Sequence, residues 1–88
     1  MIKGVTESGF KFSIDPKKVK DYRFVKLVGE SKKDPSVLPQ AINLALGDDL
    51  EAKLISHVED KGYVDFEILS NEFAEMLMAI NKAEETKN

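Results

Sequence analysis

Residues 9–16 read Gly9-Phe10-Lys11-Phe12-Ser13-Ile14-Asp15-Pro16. Apolar and polar side chains alternate strictly from Phe10 to Ile14. That period of two puts Phe10, Phe12 and Ile14 on one face of a β-strand. Asp15-Pro16 then opens a helix. The aspartate can accept from the free amides of a first turn, and proline suits the first helical position because its missing N–H has no helical partner there. Upstream, Ile2 to Thr6 supplies a partner strand and Glu7-Ser8-Gly9 the turn, with Gly9 free to take a positive φ. A two-stranded ribbon is marginal alone in water, so its aromatic face must rest on helices.

Downstream the period becomes helical. Val19, Tyr22, Val25 and Val28 recur every three residues, with Phe24 and Leu27 beside them, and Gly29 closes the segment. Asp34-Pro35 repeats the cap-then-proline signal. Leu38, Ala41, Ile42 and Ala45 follow on one stripe, and Pro39 requires that this helix begin late or bend. Asn43 is the only strongly polar residue between Gln40 and Gly47, so this helix is apolar nearly all round and belongs at the centre. Gly47 ends it, and Asp48 or Asp49 caps the next, whose seam is Leu50, Leu54 and Val58. Lys61-Gly62 terminates that helix, Tyr63-Val64 is extended, and Asp65 caps a last helix with Ser70 as a later alternative. The predicted architecture is α+β and mostly α. A hairpin over 2–14 packs on about four short helices, near 16–29, 35–46, 49–60 and 66–80. They form one compact domain over 1–80, with a polar tail over 81–88 that frays.

At 88 residues, with 42% hydrophobic and 33% charged side chains and no cysteine, the composition is that of a small globular domain. It excludes a disulfide framework and thiolate metal sites. No apolar run approaches the length needed to span a bilayer, and no signal peptide is visible. The net charge of −3 is strongly divided: residues 1–33 carry nine Lys/Arg and four acids (+5), residues 34–88 four Lys and twelve acids (−8). Such a dipolar chain favours contact between unlike ends of neighbouring copies. The basic candidates for that contact are Lys17, Lys18, Lys20, Arg23 and Lys26. An unevenly charged, solvated surface is the plainer alternative.

Constellations for chemistry are sparse. A single His57, with no cysteine and no serine in a nucleophile elbow, offers no triad and is expected on the polar side of its helix. Asp48/Asp49 and Glu84/Glu85 are adjacent pairs that point apart on a helix, so they serve capping and solubility better than chelation or acid–base work. No calcium-loop spacing and no glycine-rich phosphate loop occur. No catalytic residue, metal site or cofactor is expected, and the chain is not expected to be an enzyme. Gly47-Asp48-Asp49-Leu50 is similar to the attachment segment of acyl carrier proteins, but Asp49 stands where a carrier needs its serine. A helix-turn-helix around Gly47 would surround its second helix with acids that phosphates repel. The basic first third could touch nucleic acid only weakly, lacking a recognition motif.

Taken in order, several segments resemble the tail assembly chaperones of long, non-contractile-tailed bacteriophages, the lambda gpG-like group. The resemblance covers nearly the whole chain. It rests on Ser8-Gly9-Phe10-Lys11-Phe12-Ser13-Ile14-Asp15, the Tyr22-to-Val28 helix, and Leu38-Pro39 leading to Leu44-Ala45-Leu46-Gly47. It continues through Leu54, His57-Val58, Gly62-Tyr63-Val64 and the closing helix with Phe73, Met76 and Leu77. It implies a phage assembly factor that works in the cytoplasm of the bacterial host and is absent from the mature virion. Such a factor binds the tape measure protein, and possibly the tail tube protein, and keeps the former soluble. It also implies a longer frameshifted form. Thr86-Lys87-Asn88 is encodable as ACA-AAA-AAC, which contains a slippery run, and the gene sequence tests this directly. Candidate client contacts lie on the last helix: Phe66, Leu69, Phe73, Met76, Met78 and Ile80. Met78 is about 140° from the Phe73 direction and off the main seam. Core is the favoured reading of the Phe66–Ile80 stripe itself, since a small domain needs its apolar faces. The alternatives are a small adaptor or regulatory protein-binding module and, less favoured, a weak nucleic-acid binder. No membrane partner is expected.

Overall fold

The computed structural model describes residues 1–85. The architecture is mostly α with an N-terminal two-stranded hairpin. Strands β1 (Ile2–Val5) and β2 (Lys11–Ile14) pair antiparallel with Ile2 opposite Ile14 and Gly4 opposite Phe12. The turn is closed by Thr6 and Phe10 backbone bonding at 3.0 Å, with Gly9 at φ 92°. Gly4 is required by its partner: a Cβ there would lie 2.6 Å from Phe12 Cζ, so the ring fills the space above the glycine.

The helix predicted over 16–29 is two helices, α1 (Pro16–Lys20) and α2 (Tyr22–Ser31). Asp21 breaks the run. Its backbone is extended (φ −62°, ψ 134°), and its carboxylate accepts from the Arg23 amide at 2.8 Å. It therefore caps α2 as Asp15 caps α1. Asp34 caps only a short 3₁₀ turn over Pro35–Val37, taking bonds from the Ser36 amide and hydroxyl. The long helix α3 (Leu38–Val58) starts after it, so Pro39 sits in the first turn, where it removes no helical bond.

Within α3, Gly47 is non-helical at φ 78°, ψ 168°, a region that only glycine enters without strain. The predicted helices 35–46 and 49–60 thus adjoin at a kink with no connecting loop. Among the described residues neither Asp48 nor Asp49 makes a capping bond to a backbone amide. Asn43 instead spans the kink, its Nδ2 donating to Asp48 at 2.9 Å and to Glu51 at 2.8 Å. Gly47→Ala is expected to lower stability by about 2 kcal/mol through backbone strain alone. A chemical denaturation curve with unchanged slope and a lower midpoint checks this.

Beyond α3 the chain turns through Lys61 (φ 53°) and Gly62 (φ 85°), held by the Asp60–Tyr63 bridge. It enters α4 (Phe66–Glu85), where Asp65 accepts from the Ile68 amide at 3.1 Å. Ser70 caps nothing and donates back to the Phe66 carbonyl. The expected frayed tail over 81–88 is corrected as far as Glu85. The helix continues through Glu85, with Ala83 packed on the core and Lys20 paired with Glu84 at 3.1 Å. Residues 86–88, with the Thr86-Lys87-Asn88 signal, lie outside the described residues.

The core joins every layer. Ile2, Phe10, Phe12 and Ile14 of the hairpin meet Ala41, Ile42, Ala45, Leu46 and Leu54 of α3, Phe24 of α2, and Phe73, Met76 and Ile80 of α4. Phe24 and Phe73 pack edge to face with centroids 6.1 Å apart, an arrangement favoured by ring quadrupoles.

The two loop caps also set an acid response. The Arg23 guanidinium, then its amide, hold Asp21 below the ordinary aspartate range, and the Ser36 hydroxyl and amide do the same for Asp34. A carboxyl depressed on folding contributes stability above its unfolded value, and that contribution is lost as pH falls through the folded value. An Asp21→Asn/Asp34→Asn variant is therefore expected to lose stability less steeply than the parent below about pH 4. Thermal melts across that range check it.

Candidate functional site

Four surface features could carry function. The first is a polar cluster beneath the hairpin turn. Thr6 and Ser8 lie on the turn, His57 near the end of α3, and Glu72 and Glu75 on α4. The Thr6 and Ser8 hydroxyls both donate to Glu72 Oε1 at 2.8 Å, and the Phe10 amide donates to Thr6 Oγ1 at 3.1 Å. Glu75 accepts from the Glu7 amide at 2.6 Å. Ser8 Oγ is 2.9 Å from His57 Nε2, and the His57 ring lies 5.2 Å from that of Phe10. Because the Ser8 proton goes to Glu72, its oxygen is left to accept, and His57 Nε2–H is the donor. A nucleophilic serine needs the reverse, with the imidazole accepting its proton and an acid orienting the far ring nitrogen. Here the carboxylate sits on the serine side. The cluster ties the turn to two helices, and both hydroxyls and the carboxylate are satisfied. His57 is exposed, as its helical position suggested.

The second feature is the basic patch. Lys17, Lys18, Lys20, Arg23 and Lys26 are all exposed on α1 and α2. Lys20 is engaged with Glu84 and Arg23 with Asp21, at 3.1 and 3.2 Å. Such exposed pairs contribute little to stability.

The third is the predicted client stripe on α4, which the structure divides. Phe73, Met76 and Ile80 are buried, at 2%, 0% and 0% exposure, and they cannot touch a partner without unfolding. Leu69 is half-buried against the core. Phe66 and Met78 remain at the surface, at 44% and 72%. A cleft of about 200 Å³ opens between α2 and α4, with α1 contributing Val19 to a lining of Phe24, Val25, Val28, Leu77 and Asn81. Val25 is exposed at its edge and Tyr22 one turn before it on α2; Met78 is exposed on α4 but lies about 100° around the helix from Leu77 and does not line the cleft.

The fourth was not anticipated. A groove of about 730 Å³ runs between the hairpin and the second half of α3. Its apolar part is Val5, Phe12, Leu46 and Leu50; its polar part is Lys3, Lys11, Lys53, Ser13 and Asp49, with Gly4 beside Phe12. Among the described residues none of those three lysines forms an ion pair. The only sequence signal for it was the excess of lysine on the strands, since Lys53 joins them solely through the fold.

Among the described residues no group of three or more His, Asp or Glu side chains is placed to hold a metal ion, and no helix is long and apolar enough to cross a membrane. Comparison of the chain with family models, with curated proteins and with solved structures finds no match.

Proposed function

We propose that the chain is a non-enzymatic, protein-binding assembly factor, and specifically a phage tail assembly chaperone that keeps the tape measure protein soluble in the host cytoplasm while tail tube subunits assemble. The family assignment rests on the sequence resemblance. The observation that carries the binding role is the apolar cleft between α2 and α4, with Tyr22, Val25 and Met78 exposed on the two helices. An apolar cleft between helices suits the apolar seam of a helical client, and Met78, exposed on a neighbouring side of α4, offers further adaptable contact atoms. Covering that seam removes the patch that would otherwise aggregate.

Co-expression with the tape measure protein of the same phage tests the assignment. The expected result is a several-fold rise in soluble client and its recovery with the chain; unchanged solubility and recovery would refute it. Val25→Asp/Met78→Asp is expected to abolish the rise while leaving the melting temperature within a few degrees, because both residues are exposed and substitutions there change stability by about 0.5 kcal/mol or less. Circular dichroism melts check the second half of that prediction.

A further inference from the structure

The α3–α4 connection presents the complement of the lysine-rimmed groove. From Tyr63 to Ile68, four apolar side chains face solvent: Tyr63 at 79%, Val64 at 37%, Phe66 at 44% and Ile68 at 52%. Acids are interleaved with them or directly precede them. Glu59, Asp60, Asp65 and Glu67 stand against Lys61 alone, a net of −3 over residues 59–68. The segment is preshaped. Asp60 and Tyr63 exchange backbone bonds of 2.8 and 3.0 Å, and Asp65 fixes the first turn of α4. Little ordering entropy is therefore lost when it docks.

The groove has the opposite character. Phe12 and Leu46 close its base but are themselves nearly buried, so the apolar surface it offers is Val5 and Leu50, and Lys3, Lys11 and Lys53 outnumber Asp49. Its volume is in the range that accepts large side chains. In its own chain the segment is held away from the groove: the Asp60–Tyr63 bridge closes its turn, and residues from Phe66 onward already form the first turn of α4.

We propose that residues 59–68 of one copy dock in the lysine-rimmed groove of a second copy. Tyr63 and Phe66 cover Val5 and Leu50, and Lys3, Lys11 and Lys53 face Glu59, Asp60, Asp65 and Glu67. Each copy carries one segment and one groove on different surfaces, so the contact is heterologous. It repeats from copy to copy, to a closed ring or an open helical array. One short segment in one groove is a small interface, so association is weak and concentration-dependent. It is also salt-sensitive, since charge steers and registers it. The surface lies apart from the α2–α4 cleft, and the proposal does not rest on the chaperone assignment.

Sedimentation velocity on the full chain over a wide concentration range tests it. The wild type is expected to exceed dimer mass as concentration rises. Raising salt from about 0.05 to about 0.5 M should weaken the association about tenfold. Lys3→Glu/Lys53→Glu removes the groove and Tyr63→Ser/Glu67→Lys removes the segment. All four positions are exposed, so both variants keep the wild-type circular dichroism melt. Each alone should be monomeric. Mixed in equal amounts they should form a dimer and nothing larger, because only one intact segment and one intact groove remain. A monomeric wild type, a variant that still associates alone, or a mixture that stays monomeric would each overturn the proposal.

Discussion

Phe73→Ala is expected to lower the unfolding free energy by about 4 kcal/mol, whereas Met78→Ala, five residues along the same helix, should change it by about 0.5 kcal/mol or less. Phe73 is 2% exposed and meets Phe24 edge to face at 6.1 Å. Truncation removes the ring's transfer free energy, leaves a cavity between α2 and α4, and ends the aromatic contact. At roughly 4–8 °C per kcal/mol for a domain of this size, the melting temperature should fall by more than about 15 °C. Much of the marginal stability of so small a domain would be lost. Met78 is 72% exposed, and its removal opens no cavity. The pair therefore separates the two roles that the α4 stripe could play. Equal effects on stability at the two positions would contradict the burial described here. Because Phe73 also lines the joint beneath the α2–α4 cleft through its contact with Phe24, loss of client binding in Phe73→Ala would report unfolding and not contact. Val25 and Met78 are the informative sites for that reason.

What the chain made legible was local. Asp15-Pro16, Asp65 and Gly47 each act within a turn of their own position, so capping and the helix break could be read from neighbours. Asp21 was missed because it sits inside a run whose apolar spacing continues across it. Val19 and Tyr22 keep a helical interval, and only the extended backbone at Asp21 shows two caps where one was read. Asp48 was misread for a related reason. Its side chain answers Asn43, five residues back across the kink, and makes no bond to the amides ahead of it. The α4 stripe was correctly periodic, but periodicity gives the direction of a face and not what covers it. Buried Phe73 and Met76 and exposed Phe66 share the pattern. The lysine-rimmed groove was least legible of all, since Lys3, Lys11 and Lys53 come together only when the hairpin lies on α3.

Glu72 belongs to that last class, and its replacement carries the second large effect. Glu72→Ala is expected to cost about 3 kcal/mol. A glutamate in an acidic helix reads as solvated, yet Glu72 is 9% exposed and lies about 40° around the helix from Met76, at the margin of the core. Its Oε1 accepts from Thr6 and Ser8, which are 66 and 64 residues away in the chain. Charge-assisted bonds of this kind are stronger than neutral ones. Removing the acceptor takes the charged partner from the Thr6 hydroxyl, 4% exposed, and leaves it only the neutral Ser8 hydroxyl at 3.1 Å, while Ser8 loses its acceptor too; loss of a buried acceptor costs up to the desolvation penalty of the donors it served. Glu72→Gln keeps a carbonyl acceptor at the same reach and should recover more than half of the loss. The two variants also localise the effect. In Glu72→Ala, amide exchange should accelerate first in the hairpin turn, where the Phe10 amide depends on Thr6 Oγ1 and the Glu7 amide on Glu75. The α2–α3 contacts should respond only to global opening. If alanine and glutamine cost the same, or if the turn amides exchange unchanged, Glu72 would be a solvated surface acid and the hairpin would be held by apolar packing alone. The hairpin also supplies Lys3, Lys11 and Phe12 to the groove. Loosening its turn in Glu72→Ala should therefore weaken association between copies while leaving residues 59–68 intact as the partner segment for a groove on another chain.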